Sequence, residues 1–277
     1  MGYYVTVEAS NQTEHIVNVF VEDIGPREGK VILFLHGWPV NHKMFEYQYN
    51  ELPKHGYRCI GVDLRGFGKS DRPWSGYSYN RLADDIRSIV DTLQLKAFVL
   101  VGFSMGGAIA VRYMDRHSGH QVAKLALLGA AAPAFTQRPG YPYGLTKDAV
   151  DKLIEAIYKD RPNMLRSFGD TFFERYITED FKNWFFQLGL EASGHGTIQC
   201  AVSLRDEDLR ADLPAVHVPT VICHGVHDKI CPFVLAEIMH AGIQNSQLIP
   251  FQESGHGLFY CEREKLNREL LRFMDKS

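Results

Sequence analysis

From residue 31 the chain alternates short, β-rich apolar runs with amphipathic stretches: "VILFLHG", "HKMFEYQYNELPKHG", "YRCIGVDL", "NRLADDIRSIVDTLQL" and "KAFVLVG". No other feature restricts the fold as much. Parallel strands need crossover connections, and helices in those crossovers bury the sheet on both sides, so its strands read as continuous apolar runs. The prediction is an α/β fold whose mostly parallel sheet carries helices on both faces. At 277 residues, 45% of them hydrophobic, the chain is long enough to fill such a core. Ahead of the alternation, "YYVTVEAS" and "HIVNVFVEDIG" flank the polar "NQTE" and predict an antiparallel hairpin at one sheet edge. Gly2 and Thr6 also satisfy an N-myristoylation pattern, but the strand reading of this stretch is preferred.

The rhythm stops after "KLALLGA" and resumes at "VPTVICHG". Between them only helix-like and loop-like segments occur, rich in Phe168, Phe172, Phe173, Tyr176, Phe181, Trp184, Phe185 and Phe186. The expected organisation is a core of residues 1–130 and 214–277 with a helical cap, 131–213, inserted at the carboxyl ends of the strands. Most of those aromatics are read as the core of the cap itself.

Composition removes several classes of function. With 30 basic and 33 acidic residues, a formal net charge of −3 and no long run of either sign, nothing favours nucleic acid or an anionic membrane. The opening residues lack a basic segment followed by an apolar one, and no stretch approaches membrane-span length, so a cytoplasmic protein is expected. Five scattered cysteines (Cys59, Cys200, Cys223, Cys231, Cys261) form no C-x-x-C pair and read as buried, reduced thiols. No H-E-x-x-H or clustered ligand set suggests a metal, and no cofactor is expected. "RGFGKS" superficially matches a phosphate-binding loop, but Asp63 stands where the earlier glycine belongs, which leaves a turn.

The chemistry is concentrated in "LVGFSMGGAIA", which sets Ser104 between Gly102 and Gly106 at a strand-to-helix corner. Such a turn strains the middle residue, raises its hydroxyl above the sheet and aims the next amide, Met105 N–H, at the start of a helix, where negative charge is favoured. A serine needs a base to take its proton and a carboxylate to orient that base. In hydrolases built on such a sheet the order is Ser, then Asp or Glu, then His. Asp228 follows "TVICHG" in "VHDKICP", and only His240 and His256 come later; His240 falls in the helical pattern "FVLAEIMHAGI", whereas His256 sits in the loop "ESGHGLF" after "SQLIPF". His256 is therefore the expected base, with His227 its nearest rival. In "HGWP", Trp38 offers a second amide for an oxyanion hole with Met105, and Pro39 keeps Trp38 out of helical geometry. His36 and Gly37 are assigned only to the shape of that turn. Pro39, Phe135, Phe172, Trp184 and Cys231 are the expected walls of the substrate pocket.

Together, "HGWPVNHKMFEYQ", "GYRCIGVDLRGFGKSDRPWSGYSY", "ADDI", "LVGFSMGGAIAVRY", "LLGAAAPAF", "HGVHDKICPF" and "SGHG" resemble the α/β-hydrolase group of cofactor-free bacterial haloperoxidases (perhydrolases) and related aryl and carboxyl esterases. The resemblance implies an eight-stranded α/β-hydrolase sheet, Ser104, Asp228 and His256 as a triad, and the Trp38 and Met105 amides as oxyanion donors. It further implies an esterase of small or aryl esters acting through an acyl-enzyme, with perhydrolysis as a side activity. A lactonase on the same triad and a hydrolase-like small-molecule receptor are the alternatives. H-G-x-P also occurs in epoxide hydrolases and dehalogenases, but those use an aspartate where this chain has Ser104. Val226 replaces a second acidic residue often found before the acid, and residues 140–212 match the group least. The expected partner is a small ester; a homo-oligomer stays open.

Overall fold

In the computed structural model, which describes residues 1–7 and 16–275, eight strands form one sheet. They are β1 (Gly2–Val7), β2 (Val17–Ile24), β3 (Lys30–Leu35), β4 (Tyr57–Val62), β5 (Phe98–Phe103), β6 (Val122–Leu128), β7 (Thr220–Gly225) and β8 (Ser246–Phe251). Their order is β1-β2-β4-β3-β5-β6-β7-β8; β3 to β8 run parallel, while β1 and β2 are antiparallel to their neighbours. The predicted edge hairpin is present in its two strands; its polar connection "NQTE" lies outside the described residues. Gly2 begins the edge strand. All six residues of β5 and of β7 are buried, which accounts for their unbroken apolar runs, whereas β1 alternates toward solvent.

Helices α1 (Glu46–Tyr49), α2 (Tyr79–Thr92), α3 (Met105–Arg116), α4 (Lys147–Gly169), α5 (Glu179–Leu190), α6 (Gly194–Asp206), α7 (Val234–Gly242), α8 (Leu258–Cys261) and α9 (Arg263–Asp275) complete the fold. One group, α2, α3 and α7, is linked through the short turn Leu213–Ala215; α1, α8 and α9 pack together as a second group. The stretch read as one amphipathic segment, "HKMFEYQYNELPKHG", is broken into 3-10 turns at His42–Phe45 and Leu52–His55 around the single turn α1. Pro53, which has no N–H to donate, stands within the second of these turns.

Between β6 and β7 the chain runs through α4, α5 and α6, each opened by its own side-chain cap: Thr146, Thr178 and Ser193 accept from the amides of Ala149, Phe181 and Gly196. Inside α4 the backbone leaves helical geometry at Asp160 (φ −161°, ψ 83°), two residues before Pro162, and Asp160 Oδ1 caps the second half through Asn163 N–H at 3.1 Å. The segment is tied to the strand ends by Ser193 N–H to Gly66 O at 2.7 Å, Ser203 Oγ to Tyr77 O at 2.8 Å and Lys43 Nζ to Glu191 at 2.7 Å.

"RGFGKS" is the turn the sequence suggests. It folds back on Asp63, whose carboxylate accepts from His42 N, His42 Nδ1 and Lys69 N, while Lys69 Nζ lies 4.3 Å from the Phe20 ring centroid. Four of the cysteines are buried and all five are free; Cys261 is the partly exposed one. No described helix is long and apolar enough to cross a membrane.

Candidate active site

Chain direction in the sheet decides where the chemistry can gather. After β3 the chain crosses to β4 on one side, and β5 returns on the other, so β3 and β5 are neighbours at a point where the winding reverses. A crevice opens at the carboxyl ends of strands at such a point. The loops after β3, β5, β7 and β8 carry Trp38, Ser104, Asp228 and His256, all at the same end of the sheet.

Ser104 itself has φ 53° and ψ −119°, a conformation that L-residues avoid. Neighbouring contacts hold it there. Its N–H donates to Leu128 O at 3.0 Å on β6, and its carbonyl accepts from Gly107, Ala108 and Ala131. The flanking glycines are required by closeness of backbone: a Cβ on Gly102 would sit 2.4 Å from Gly106 O, and one on Gly106 would sit 2.3 Å from Leu35 O. These contacts press the start of α3 against the ends of β3 and β5 and leave Met105 N–H in the first turn, where it has no acceptor within the helix.

His256 lies between the other two groups. Its Nε2 is 2.9 Å from Ser104 Oγ, and its Nδ1 is 2.7 Å from Asp228 Oδ2. A carboxylate can only accept, so Nδ1 carries the proton and Nε2 presents its lone pair to the serine hydroxyl. Asp228 Oδ1 accepts from the amides of Ile230 and Cys231, both at 2.8 Å. All three side chains are buried, with only 5% of Ser104 exposed. His240 sits on the exposed end of α7 and pairs with Ser246 Oγ, and His227 is exposed, so His256 is the histidine brought to Ser104.

The expected pocket residues divide. Phe172 is fully buried with its ring 4.9 Å from that of His256, and its carbonyl accepts from Gly257 N–H at 2.7 Å. Cys231 is buried beside Asp228; burial, with the nearby Asp228 charge, pushes the thiol well above the usual range. Pro39 lines an apolar slot with Leu165, Phe168, Phe172 and Phe185. Phe135 is buried in the loop after β6, where its carbonyl accepts from Leu145 N–H at 3.0 Å. Trp184 requires correction. It packs on Phe181, Phe181 on Phe185 and Phe185 on Phe172, so three rings separate it from His256 and it belongs to the aromatic interior of the helical segment.

Sequence reasoning missed three neighbours. Phe103, at the end of β5, lies 4.8 Å from the His256 ring, and Phe168 packs edge-on against Trp38 at 4.9 Å. His224, in the "HG" that ends β7, lies behind Asp228 with its Nε2 2.7 Å from Cys231 O. The "HG" pair was a visible signal, since it ends a strand just before the acid. The Trp38 indole is also occupied, donating from Nε1 to Thr197 O on α6 at 2.8 Å, so only its backbone amide is left for a ligand.

A mostly parallel eight-stranded sheet, with a strained serine between β5 and α3 and a histidine and aspartate on the last two strand ends, defines an α/β hydrolase, and the chain belongs to that family. A family model described as alpha/beta hydrolase fold matches residues 30–156. The chain is 56% identical over 273 residues to the AB hydrolase superfamily protein YisY of Bacillus subtilis (strain 168), covering 99% of both. It is 30% identical over 282 residues to the bifunctional esterase/perhydrolase DCH of Acinetobacter calcoaceticus, with 99% of this chain and 99% of that protein covered. Among solved structures, an esterase (EaEST) from Exiguobacterium antarcticum matches with a TM-score of 0.95 at 50% identity, covering 100% of both chains.

Proposed function

We propose that the protein is a serine esterase that cleaves small or aryl carboxylic esters through an acyl-enzyme on Ser104. The observation that carries this reading is the hydrogen-bonded chain from Asp228 through His256 to Ser104 Oγ, set at a backbone corner that exposes the oxygen to the strand ends. Ser104 Oγ attacks the ester carbonyl while its proton passes to His256 Nε2. The resulting oxyanion is held by the amides of Trp38 and Met105. Collapse expels the alcohol, which takes the proton from His256; water then attacks the acyl carbon as its proton passes to the same nitrogen, and the acyl–Oγ bond breaks with return of that proton to Ser104 as the acid leaves. Asp228 keeps Nδ1 protonated and stabilises the imidazolium. Residues 131–213 form a cap over this site, and the apolar rings of Phe172 and Phe168 favour compact acyl groups over long polar ones.

Perhydrolysis is a second reaction of the same acyl-enzyme, with hydrogen peroxide in place of water and a peracid as product. It is supported by the relative named as a bifunctional esterase/perhydrolase. The primary test follows p-nitrophenol release from p-nitrophenyl acetate by the wild type and Ser104→Ala. The expected result is rapid turnover by the wild type and none by the folded variant; a variant as active as wild type rules out the nucleophile. Because His256 must be neutral to accept a proton, kcat/KM is expected to rise with pH along an acid limb and then level.

A further inference from the structure

The reaction just described gives no task to His224, a buried titratable group beside Asp228. His224 is the fifth residue of β7 and is fully inaccessible to solvent. Its Nε2 lies 2.7 Å from Cys231 O and 3.5 Å from Asp228 Oδ2, and its Nδ1 is buried with no hydrogen-bond partner. A carbonyl cannot donate, so Nε2 carries the hydrogen and Nδ1 is an unprotonated, solvent-free nitrogen. Protonating Nδ1 would place a charge and an unpaired N–H in the interior.

Two consequences for Asp228 follow. The Cys231 peptide is held on both sides, because its amide donates to Asp228 Oδ1 at 2.8 Å and its carbonyl accepts from His224. The turn that orients the carboxylate therefore leans on the imidazole. In addition, the Nε2–H dipole points into the region of Oδ2, the oxygen that receives His256 Nδ1–H. The titratable groups facing His224 are Asp228, His256 and Cys231, and the Phe233 ring meets it edge-on at 5.9 Å.

We propose that His224 is a positioning residue of the hydrolytic site: as a permanently neutral, Nε2–H imidazole it fixes the turn that aims Asp228 and moderates the basicity of its carboxylate toward His256. This rests on the assignment of Ser104, His256 and Asp228 made above. Burial, its largest influence, lowers the His224 pKa and keeps the ring uncharged; Asp228 and the Cys231 carbonyl oppose that effect and His256 adds to it. With the His224 dipole removed, the carboxylate holds the protonated His256 more tightly, so the acid limb moves to higher pH.

The test compares wild type, His224→Leu, which fills the volume without a donor, and His224→Gln, which restores one. Turnover of p-nitrophenyl acetate is measured from pH 5 to 9 with Ser104→Ala as control. The expected outcome for His224→Leu is a fall in kcat of about tenfold with KM within about twofold, and an acid limb displaced upward by about half a pH unit, with His224→Gln restoring both toward wild type. A folded His224→Leu with wild-type kcat and an unmoved limb overturns the proposal, as does a loss that Gln does not relieve while the limb stays in place. If the Leu variant does not fold, imidazole nitrogen shifts of the wild type still decide: an Nε2–H tautomer unchanged from pH 5.5 to 8 is expected, and protonation or the Nδ1–H form overturns it. Retained activity in Ser104→Ala would instead refute the nucleophile assignment, which the wild-type imidazole shifts do not depend on.

Discussion

At the scale of single residues, Asp228 shows how few groups separate a polar cluster from a working one. Its Oδ1 is saturated by two backbone amides and its Oδ2 by His256, so nearly every lone pair is directed. Asp228→Asn preserves the shape but offers Nδ1 a donor in place of an acceptor, which favours the wrong histidine tautomer. The expected result is a fall in kcat of about 10⁴-fold with little loss of stability, read from initial rates and thermal melts on the same preparation. That Asp228, His256 and Ser104 meet was legible because chain order and loop position prune the candidates. His224 was not, because its role comes from the Cys231 carbonyl seven residues further along the chain, and no periodicity encodes that contact.

At the scale of elements, the contact between α3 and the strand ends is the sensitive one. Gly106 rests on the carbonyls of Leu35 and His36, which leave no room for a methyl group. Gly106→Ala must push α3 away from β3, which costs about 1–3 kcal/mol by overpacking and displaces the Met105 amide. Denaturant unfolding should show the stability loss, and kcat should fall more than KM rises; an unchanged midpoint with full activity would contradict this packing. The strands were predictable because continuous burial writes itself into continuous apolar runs. The break in the segment before β4 was less so: apolar and polar residues keep helical spacing there, while Pro53 stands at the start of the second turn and Gly56 (φ 83°) ends it. Trp184 was misplaced for a related reason, since an aromatic in a helical segment looks the same whether it faces a pocket or its own neighbours.

At the scale of the whole molecule, acid should be the main threat to the fold. His36 is fully buried, with Nδ1 bonded to Gly37 O and Nε2 accepting from Leu64 N–H, and burial lowers its pKa to about 4 from 6.5. Between those values the unfolded chain binds a proton that the folded chain refuses, so stability is full above about pH 6.5 and is lost as the pH falls toward about 4. The contribution at stake is about 3 kcal/mol, and the lowered pKa of His224 acts in the same direction. Urea midpoints measured at pH 7, 5.5 and 4.5 should decline stepwise, and His36→Gln should flatten that decline even though it lowers the starting value. A wild-type midpoint constant over this range would exclude the effect.

The strand order carries one more consequence, in the time domain of protein synthesis. β7 and β8 join the sheet at its outer edge beyond β6, without inserting between earlier strands, so most of the sheet can be assembled as the ribosome delivers it. Ser104 leaves the ribosome 152 residues ahead of His256. The nascent chain therefore holds Ser104 without its histidine partner until β8 and the loop after it have been made.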